Sequence, residues 1–105
     1  MTIYSLQADL CKALAHPTRL QVLDLLSKKE HTVDELSKLT GSGQSNLSQH
    51  LAGLRQQKLV VPRRAGMNVY YELANPKIGD TCDLIRELLV ELSEDEHRVV
   101  SMMEV

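Results

Sequence analysis

The sequence predicts a small, mainly α-helical domain with one β-hairpin. Apolar residues recur every three or four positions through the first 58 residues and again after residue 75, as in helices that bury one face. Between these parts, residues 59–73 change to the two-residue alternation of β-strands and include one turn. The predicted order is ααααββα, followed by a sixth short helix or a frayed tail. A length of 105 residues fits a single domain over residues 1–105.

Two helices are predicted before residue 30. The first covers about residues 3–16, and its apolar face contains Leu6, Leu10 and Leu14. It ends before Pro17, because proline disfavours helical geometry in the preceding residue. Pro17 in turn suits the first turn of the second helix. The apolar face of that second helix consists of Leu20, Leu23 and Leu26.

Capping and turn residues delimit the third and fourth helices. Thr32 followed by Glu35 is a capping box, in which each side chain accepts a hydrogen bond from the other residue's backbone amide. Gly41 ends the third helix, and a Gly-Ser-Gly turn leads into the fourth, over about residues 43–58. Two helices joined by a tight turn and followed by a hairpin over residues 59–73 form a winged helix-turn-helix. The fourth helix is then the recognition helix and the hairpin is the wing.

The C-terminal part of the chain is predicted to be helical over about residues 76–103. Asn75 and Pro76 are an N-cap and a first-turn proline that open the fifth helix. Ser93 followed by Glu96 is typical of a second capping box, which would begin the sixth helix or frayed tail.

Composition and motifs exclude several function classes. The sequence has no run of 18 apolar residues and no signal-peptide pattern at its N-terminus, so we expect no membrane insertion and assign the chain to the cytoplasm. It has no Walker A loop, dinucleotide-binding glycine motif or H-E-x-x-H motif, so we expect neither catalysis nor a cofactor. No Trp, no Phe and three Tyr argue against a surface that stacks the bases of single strands.

The formal net charge of −2 conceals an uneven distribution. Residues 1–79 contain ten basic and six acidic side chains, whereas residues 80–105 contain two basic and eight acidic ones. No acidic residue lies between Glu35 and Glu72. Because duplex DNA carries a phosphate charge about every 1.7 Å, it repels carboxylates and releases counterions to each Lys or Arg. The acid-free segment therefore predicts a duplex DNA-binding surface, and its basic residues are Lys38, Arg55, Lys58, Arg63 and Arg64.

The polar face of the recognition helix carries side chains that can hydrogen-bond to base edges. Gln and Asn pair with adenine, and Ser donates or accepts. The N-terminal half of the helix, which enters the major groove, contains Gln44, Ser45, Asn46, Ser48 and Gln49. The wing is expected to position the protein on DNA rather than to specify sequence. Backbone contacts are predicted from Arg55 and from the wing residues Arg63, Arg64 and Asn68.

Two details of this surface stay open from sequence. His50 lies at the edge of the polar face, where it either meets a phosphate or packs against the domain. Arg63 and Arg64 alternate along one strand, so at most one of them points towards DNA at a given depth.

Five segments form an ordered set of motifs. They are residues 13–23 (ALAHPTRLQVL), 34–36 (DEL), 44–55 (QSNLSQHLAGLR), 59–60 (LV) and 69–73 (VYYEL). Their order and spacing resemble the arsenic-repressor (ArsR/SmtB) family of bacterial and archaeal winged-helix repressors over roughly residues 8–92. Two positions depart from the family pattern: His16 stands where Asp or Asn is usual, and Gly43 where a Ser commonly caps the recognition helix.

The resemblance implies a homodimer joined largely through the first and fifth helices, a near-palindromic DNA operator, and release by an inducer. It also bears on metal sensing, because the arsenic-sensing members carry a Cys-x-Cys motif that this chain lacks. At the positions of the zinc ligands of other members the chain has Asn75, Lys77, Leu88 and Glu91, which leaves one ligand of four. No metal site is therefore expected.

The two cysteines, Cys11 and Cys82, are the remaining candidates for an effector site. They fit either one disulfide or two free thiols. Both lie on helices that the resemblance assigns to the dimer interface, where an oxidant, a sulfur species or a soft metal could act as inducer. One alternative is that both are small buried apolar side chains. Another is an effector site built with His97 or with the acidic residues near the C-terminus.

The first functional hypothesis is a dimeric, sequence-specific transcriptional repressor that an effector releases from a palindromic operator. One alternative is an effector-independent repressor whose cysteines are structural. Another is a scaffold-like protein-interaction module that docks partners through its acidic C-terminal part. A gel shift against the promoter DNA that flanks the protein's own gene distinguishes the DNA-binding hypotheses from the last one.

Overall fold

The computed structural model describes residues 1–103 and confirms a mainly helical fold with a β-hairpin wing. Six helices and three strands follow one another along the chain. They are α1 (Ile3–Leu14), α2 (Pro17–Lys28), β1 (His31–Thr32), α3 (Val33–Thr40), α4 (Gln44–Gln56), β2 (Val60–Ala65), β3 (Asn68–Leu73), α5 (Pro76–Leu92) and α6 (Glu96–Met103). None of these helices is both long and apolar enough to cross a membrane.

The capping residues predicted from the sequence lie at the ends of α3 and α5. Thr32 and Glu35 form the capping box in both directions, each with a hydrogen bond of 3.1 Å. Gly41 follows α3 in the left-handed conformation with φ of 75°, which glycine adopts at little cost. The Asn75 side chain caps α5 by accepting from the Lys77 amide at 2.9 Å.

The recognition helix α4 ends earlier than the sequence indicated, at Gln56 instead of near Lys58. Lys58 has a positive φ of 61°. The Leu59 amide donates to the Leu54 carbonyl and the Lys58 amide donates to the Arg55 carbonyl. This Schellman-type arrangement satisfies the last carbonyls of α4 and turns the chain directly into β2.

Two local predictions need correction. The sheet has three strands in the order β1-β3-β2, and the sequence did not indicate β1 because two residues cannot display a strand period. In β1, His31 lies opposite Tyr71 and Thr32 opposite Tyr70.

The predicted capping box at Ser93 and Glu96 is wrong. The Arg98 amide donates to the Asp95 carboxylate at 3.0 Å, while the Ser93 hydroxyl accepts from the Asp95 amide.

The hydrophobic core lies beneath the helix-turn-helix. Leu47, Leu51 and Leu54 of α4 are at most 1% exposed and pack with Leu36 of α3 and with the buried face of α2. Each such leucine contributes roughly 1.5–3 kcal/mol through burial of apolar surface. The core therefore fixes the rotation of α4 and points its polar face outwards.

The α1/α5 apolar set remains uncovered by the other residues of the described chain, 1–103. It comprises Ile3, Leu6 and Leu10 of α1 and Leu84, Ile85, Leu88, Leu89 and Leu92 of α5. The α5 members are 51% to 72% exposed, and Gly79 is the only buried residue of that 17-residue helix. Exposed apolar surface of this extent is typical of a surface that contacts another molecule.

Candidate nucleic-acid interface

The recognition helix presents the polar face that the sequence predicted. Because Leu47, Leu51 and Leu54 face the core, the side chains around them on the outer surface are exposed. The exposed residues include Gln44, Ser45, Asn46, Ser48, Gln49 and Arg55. The structure therefore brings these six predicted contact residues together on one helix, with the first five in its N-terminal half.

A carboxylate from α3 contacts the first residue of the recognition helix. The Gln44 Nε2 atom donates to Asp34 Oδ1 at 2.9 Å. The Lys38 ammonium lies 3.0 Å from the other oxygen of the same carboxylate. The sequence did not indicate Asp34 as part of this surface, because it lies ten positions before Gln44 and outside the acid-free segment.

His50 packs against the domain, which is the second of the two environments considered for it. Arg19 Nε donates to His50 Nδ1 at 3.2 Å, and the His16 and His50 rings lie 5.7 Å apart. Burial lowers the pKa of His50 below its ordinary value of 6.5, and the nearby Arg19 and His16 add to this shift. His50 is therefore held away from the exposed polar face as a neutral hydrogen-bond acceptor.

Arg19 connects three helices at this point, a role that the sequence pattern did not indicate. Its Nη1 donates to the Ala13 carbonyl at the end of α1, at 3.3 Å. Its guanidinium lies against Gly53 of α4, where a Cβ atom would be only 2.3 Å from Arg19 Nη2. Gly53 thus leaves the space through which Arg19 reaches His50, and the contact holds the position of α4 against α1 and α2.

The two arginines of the wing have different environments. Arg63 donates from Nε to the Glu30 carboxylate at 2.9 Å, forms a second contact with it through Nη2, and lies 5.2 Å from the centre of the Tyr70 ring. The Glu30 carboxylate also raises the pKa of Arg63. Arg64 instead lines a cleft with Arg55 and with Tyr71 of β3. Asn68 is exposed at the start of β3, next to the hairpin turn.

These contacts change how much positive charge the surface offers to DNA. Lys38 is paired with Asp34 and Arg63 with Glu30, so acidic groups at the edge of the acid-free segment already neutralise two of its five basic residues. Arg55, Lys58 and Arg64 have no ion-pair partner within residues 1–103. The three unpaired charges lie at the end of α4, in the turn after it and on the wing.

Comparison with known proteins identifies the family. Residues 16–61 match the family described as "Bacterial regulatory protein, arsR family". The HTH-type transcriptional regulator Rv0081 of Mycobacterium tuberculosis is 37% identical over 99 residues, which are 93% of this chain and 87% of that protein. Its crystal structure matches with a TM-score of 0.80 at 35% identity, covering 100% of this chain and 99% of that one. The chain belongs to the ArsR family.

Two further relatives of this ArsR-family chain have solved structures. The transcriptional activator HlyU of Vibrio cholerae is 38% identical over 85 residues, 81% of this chain and 79% of that protein. Its reduced form matches with a TM-score of 0.73 and covers 81% of this chain and 90% of that one. The homodimeric winged helix-turn-helix DNA-binding domain Mb0332 of Mycobacterium bovis matches with a TM-score of 0.80 at 33% identity, over 88% of this chain and 85% of that one.

Membership of the ArsR family favours the two DNA-binding hypotheses raised by the sequence over the protein-interaction module. The relatives are helix-turn-helix transcriptional regulators, and several of them are named repressors. The chain is accordingly a DNA-binding transcriptional regulator and not an enzyme. The protein-interaction module considered as an alternative is not supported.

The two cysteines of this ArsR-family chain are both free thiols. Cys11 is exposed on α1, whereas Cys82 is half-buried and packs against the edge of the core. Burial raises the pKa of the Cys82 thiol, and the Asp83 carboxylate adds to the shift, so less of the reactive thiolate forms near neutral pH. Within the described part of the chain, no group of three or more His, Cys, Asp or Glu side chains is arranged to hold a metal ion.

Proposed function

We propose that the protein binds a near-palindromic operator as a homodimer and represses transcription by occupying it. The observation that carries this proposal is the exposed polar face of α4, which a tightly packed core holds outwards in a segment free of acidic residues. In helix-turn-helix proteins, the corresponding helix enters the major groove with its N-terminal half.

We assign base readout to α4 and backbone contacts to its C-terminal end and the wing. Gln44, Ser45, Asn46, Ser48 and Gln49 present donors and acceptors without a formal charge, which suits the hydrogen-bonding edges of bases. Arg55, Arg64 and Asn68 are exposed around the adjoining cleft and wing tip, where phosphates would pass. Arg63 is assigned to holding the wing against the residue before β1 through Glu30, and His50 to holding α4 through Arg19.

The homodimer is supported by the α1/α5 apolar set. Five large apolar side chains on one helix, more than half exposed, would cost solubility unless a partner covers them. The related domain Mb0332 is homodimeric. A two-fold axis between the subunits would set the two α4 helices on half-sites about 34–36 Å apart, which is why the operator is expected to be near-palindromic.

Repression is the simplest outcome for a domain whose described parts serve DNA binding and association. A dimer bound over a promoter blocks polymerase by exclusion alone. Since the relative HlyU is named an activator, the direction of control is tested directly. A reporter gene under the promoter that flanks the protein's own gene should increase in expression when the protein is deleted. It should return to the low level when wild-type protein is restored, and a decrease on deletion would contradict repression.

Thiol control of operator binding is a second candidate, and one observation favours it. Cys82 lies in a small apolar pocket with Leu10 and Leu14 of α1, so a group added to its sulfur would push α1 away from α5. We expect hydrogen peroxide to weaken operator binding slowly, because the thiol pKa is raised, and dithiothreitol to restore it. A Cys11→Ser variant keeps only the half-buried Cys82 thiol, so its response to peroxide reports on Cys82 alone. A full response by the Cys82→Ser variant would exclude control through that residue.

A further inference from the structure

The side chain that begins the recognition helix is held in one orientation by the preceding helix. Gln44 is the first residue of α4, and its Nε2 atom donates to Asp34 Oδ1 at 2.9 Å. Lys38 holds the other oxygen of that carboxylate at 3.0 Å. All three side chains are exposed, and Gln44 lies in the N-terminal half of α4, which faces DNA in the proposed function.

The chemistry of this contact settles which end of the Gln44 amide faces outwards. An ionised carboxylate only accepts hydrogen bonds, so the NH₂ group of Gln44 must face Asp34. Turning the amide over would place its carbonyl oxygen against the carboxylate, and both would repel. One N–H therefore goes to Asp34, while Oε1 and the second N–H remain available.

The groups that remain are the pair that adenine requires. Adenine offers the N6 amino group as donor and N7 as acceptor in the major groove, and a glutamine amide pairs with both when its oxygen and one N–H point at them in the right order. A free glutamine would lose rotamer entropy on adopting that order. The contact with Asp34 limits the orientations of the Gln44 amide before DNA is bound, so less entropy is lost on binding.

We propose that Asp34 is a positioning residue for sequence readout, which orients Gln44 to select adenine at one base step of each half-site. The proposal rests on α4 being the reading helix. Asp34 acts at a cost to affinity, because its carboxylate lies on a surface that meets phosphates and Lys38 offsets only part of that repulsion. Asp34 therefore increases selectivity and lowers binding to DNA in general.

This combination gives the Asp34→Asn variant a signature that loss of structure would not give. Asparagine keeps the shape but can donate as well as accept, so either end of the Gln44 amide can face it. The adenine preference should fall by about fivefold or more, as expected when a bidentate contact is disordered. Binding to random-sequence duplex should become tighter at the same time, because one negative charge has been removed.

The test is enrichment of a randomised duplex library by the full-length protein and its variants, followed by sequencing. Wild-type protein should enrich a two-fold motif with one adenine position that is lost in Gln44→Ala and weakened in Asp34→Asn. In the Gln44→Ala background, Asp34→Asn should leave base preferences unchanged and affect only general affinity. Asp80→Asn on α5 is the matched control, because it removes the same charge from an exposed residue without touching Gln44.

The outcomes separate this proposal from the proposed function. If wild-type protein enriches no motif, readout by α4 fails altogether. If wild-type protein and Gln44→Ala differ at one base step but Asp34→Asn keeps the wild-type preference there, the positioning role of Asp34 is wrong. Circular dichroism of each variant establishes that it is folded, and Asp34→Ser serves as a second variant if Asp34→Asn does not fold.

Discussion

Two halves of the molecule differ in how much of their apolar surface is buried within one chain. The reading half contains α3, α4 and the wing, to which we assign DNA binding, and the other half contains α1 and α5. In the reading half, helix α4 packs on a fully buried apolar core. Its exposed fraction is at most 1% for Leu36, Leu47, Leu51 and Leu54. On the other side, α5 buries Gly79 alone and leaves five large apolar side chains exposed. One chain therefore completes the core beneath α4 by itself, whereas the opposite surface needs a partner to cover its apolar residues.

The charge of the chain follows the same division. The segment between Glu35 and Glu72 has basic residues and no acidic one, whereas residues 80–105 contain eight acidic and two basic residues. A net charge of −2 therefore describes neither half. The acidic half would face away from the phosphates, where it favours solubility and discourages binding in the wrong orientation.

The largest loss of DNA affinity is expected from a substitution that disrupts the α1/α5 apolar set. Leu88→Glu puts a charge among the exposed apolar residues of α5, where it would have to be desolvated in a dimer interface. We expect a folded monomer that binds operator at least about 100-fold more weakly, because the second half-site no longer adds avidity. Analytical ultracentrifugation and gel shift measure the two effects.

Leu39→Glu is the matched control for that change, because Leu39 is also 51% exposed but lies on α3. It should leave the dimer intact in the ultracentrifuge. A Leu88→Glu protein that stays dimeric would show that the α1/α5 apolar set is not the interface.

The next largest effect is expected from removing a base contact of α4. Gln49→Ala should weaken operator binding by about 1–3 kcal/mol and relax the preference at one base step, while binding to random duplex stays unchanged. Gln56→Ala is the control, because it removes the same amide from the C-terminal end of α4. Equal losses on operator and random duplex for Gln49→Ala would refute its readout role.

The two adjacent arginines of the wing allow a finer comparison within the reading half. Arg64→Ala should weaken binding to all sequences alike and lower the slope of log affinity against log salt by about 1. Arg63→Ala should lower that slope by less, because Glu30 already neutralises Arg63. Fluorescence anisotropy over a salt series measures both slopes. A larger loss for Arg63 than for Arg64 would mean that the Glu30 pair opens on DNA.

The smallest effect concerns the pH dependence of stability around His50. Its pKa is lower in the folded chain than in the unfolded chain, so the unfolded state binds more protons as the pH falls below the ordinary value of 6.5. This group therefore stabilises the fold above that pH, and the stabilisation is lost as the pH falls through this range. His50→Asn keeps an acceptor for Arg19 but does not titrate, and urea unfolding between pH 7.5 and about 5.5 should show a smaller decrease in stability. An unchanged decrease would assign the pH effect to other groups.

The sequence predicted the elements of the fold because their signals are local. Helical periodicity, the Thr32–Glu35 capping box and the turn at Gly41 each lie within a few residues, and the structure contains all three. The two-residue strand β1 has too few residues to carry a period. The cap of α6 was assigned to Ser93 because Ser and Asp both cap helices, and the choice between Ser93 and Asp95 depends on backbone geometry.

The contacts that organise the candidate site could not be predicted in the same way. Arg63 meets Glu30 and His50 meets Arg19 over separations of 33 and 31 residues, so their pairing depends on how the elements pack. Sequence placed all three of Gln44, Arg63 and Arg64 on the DNA surface. Only the folded chain distinguishes the free arginine from the paired one and shows that Asp34 holds Gln44.

Operator binding by a dimer is tested most directly by a footprint of the wild-type protein on its enriched duplex, combined with the stoichiometry of the complex. Two chains per duplex should protect two half-sites related by two-fold symmetry, with centres about 34–36 Å apart along the DNA. That result would show that α4 of each chain reads one half-site and would support a dimer formed through the α1/α5 apolar set. One chain bound to a single protected half-site with full affinity would contradict it.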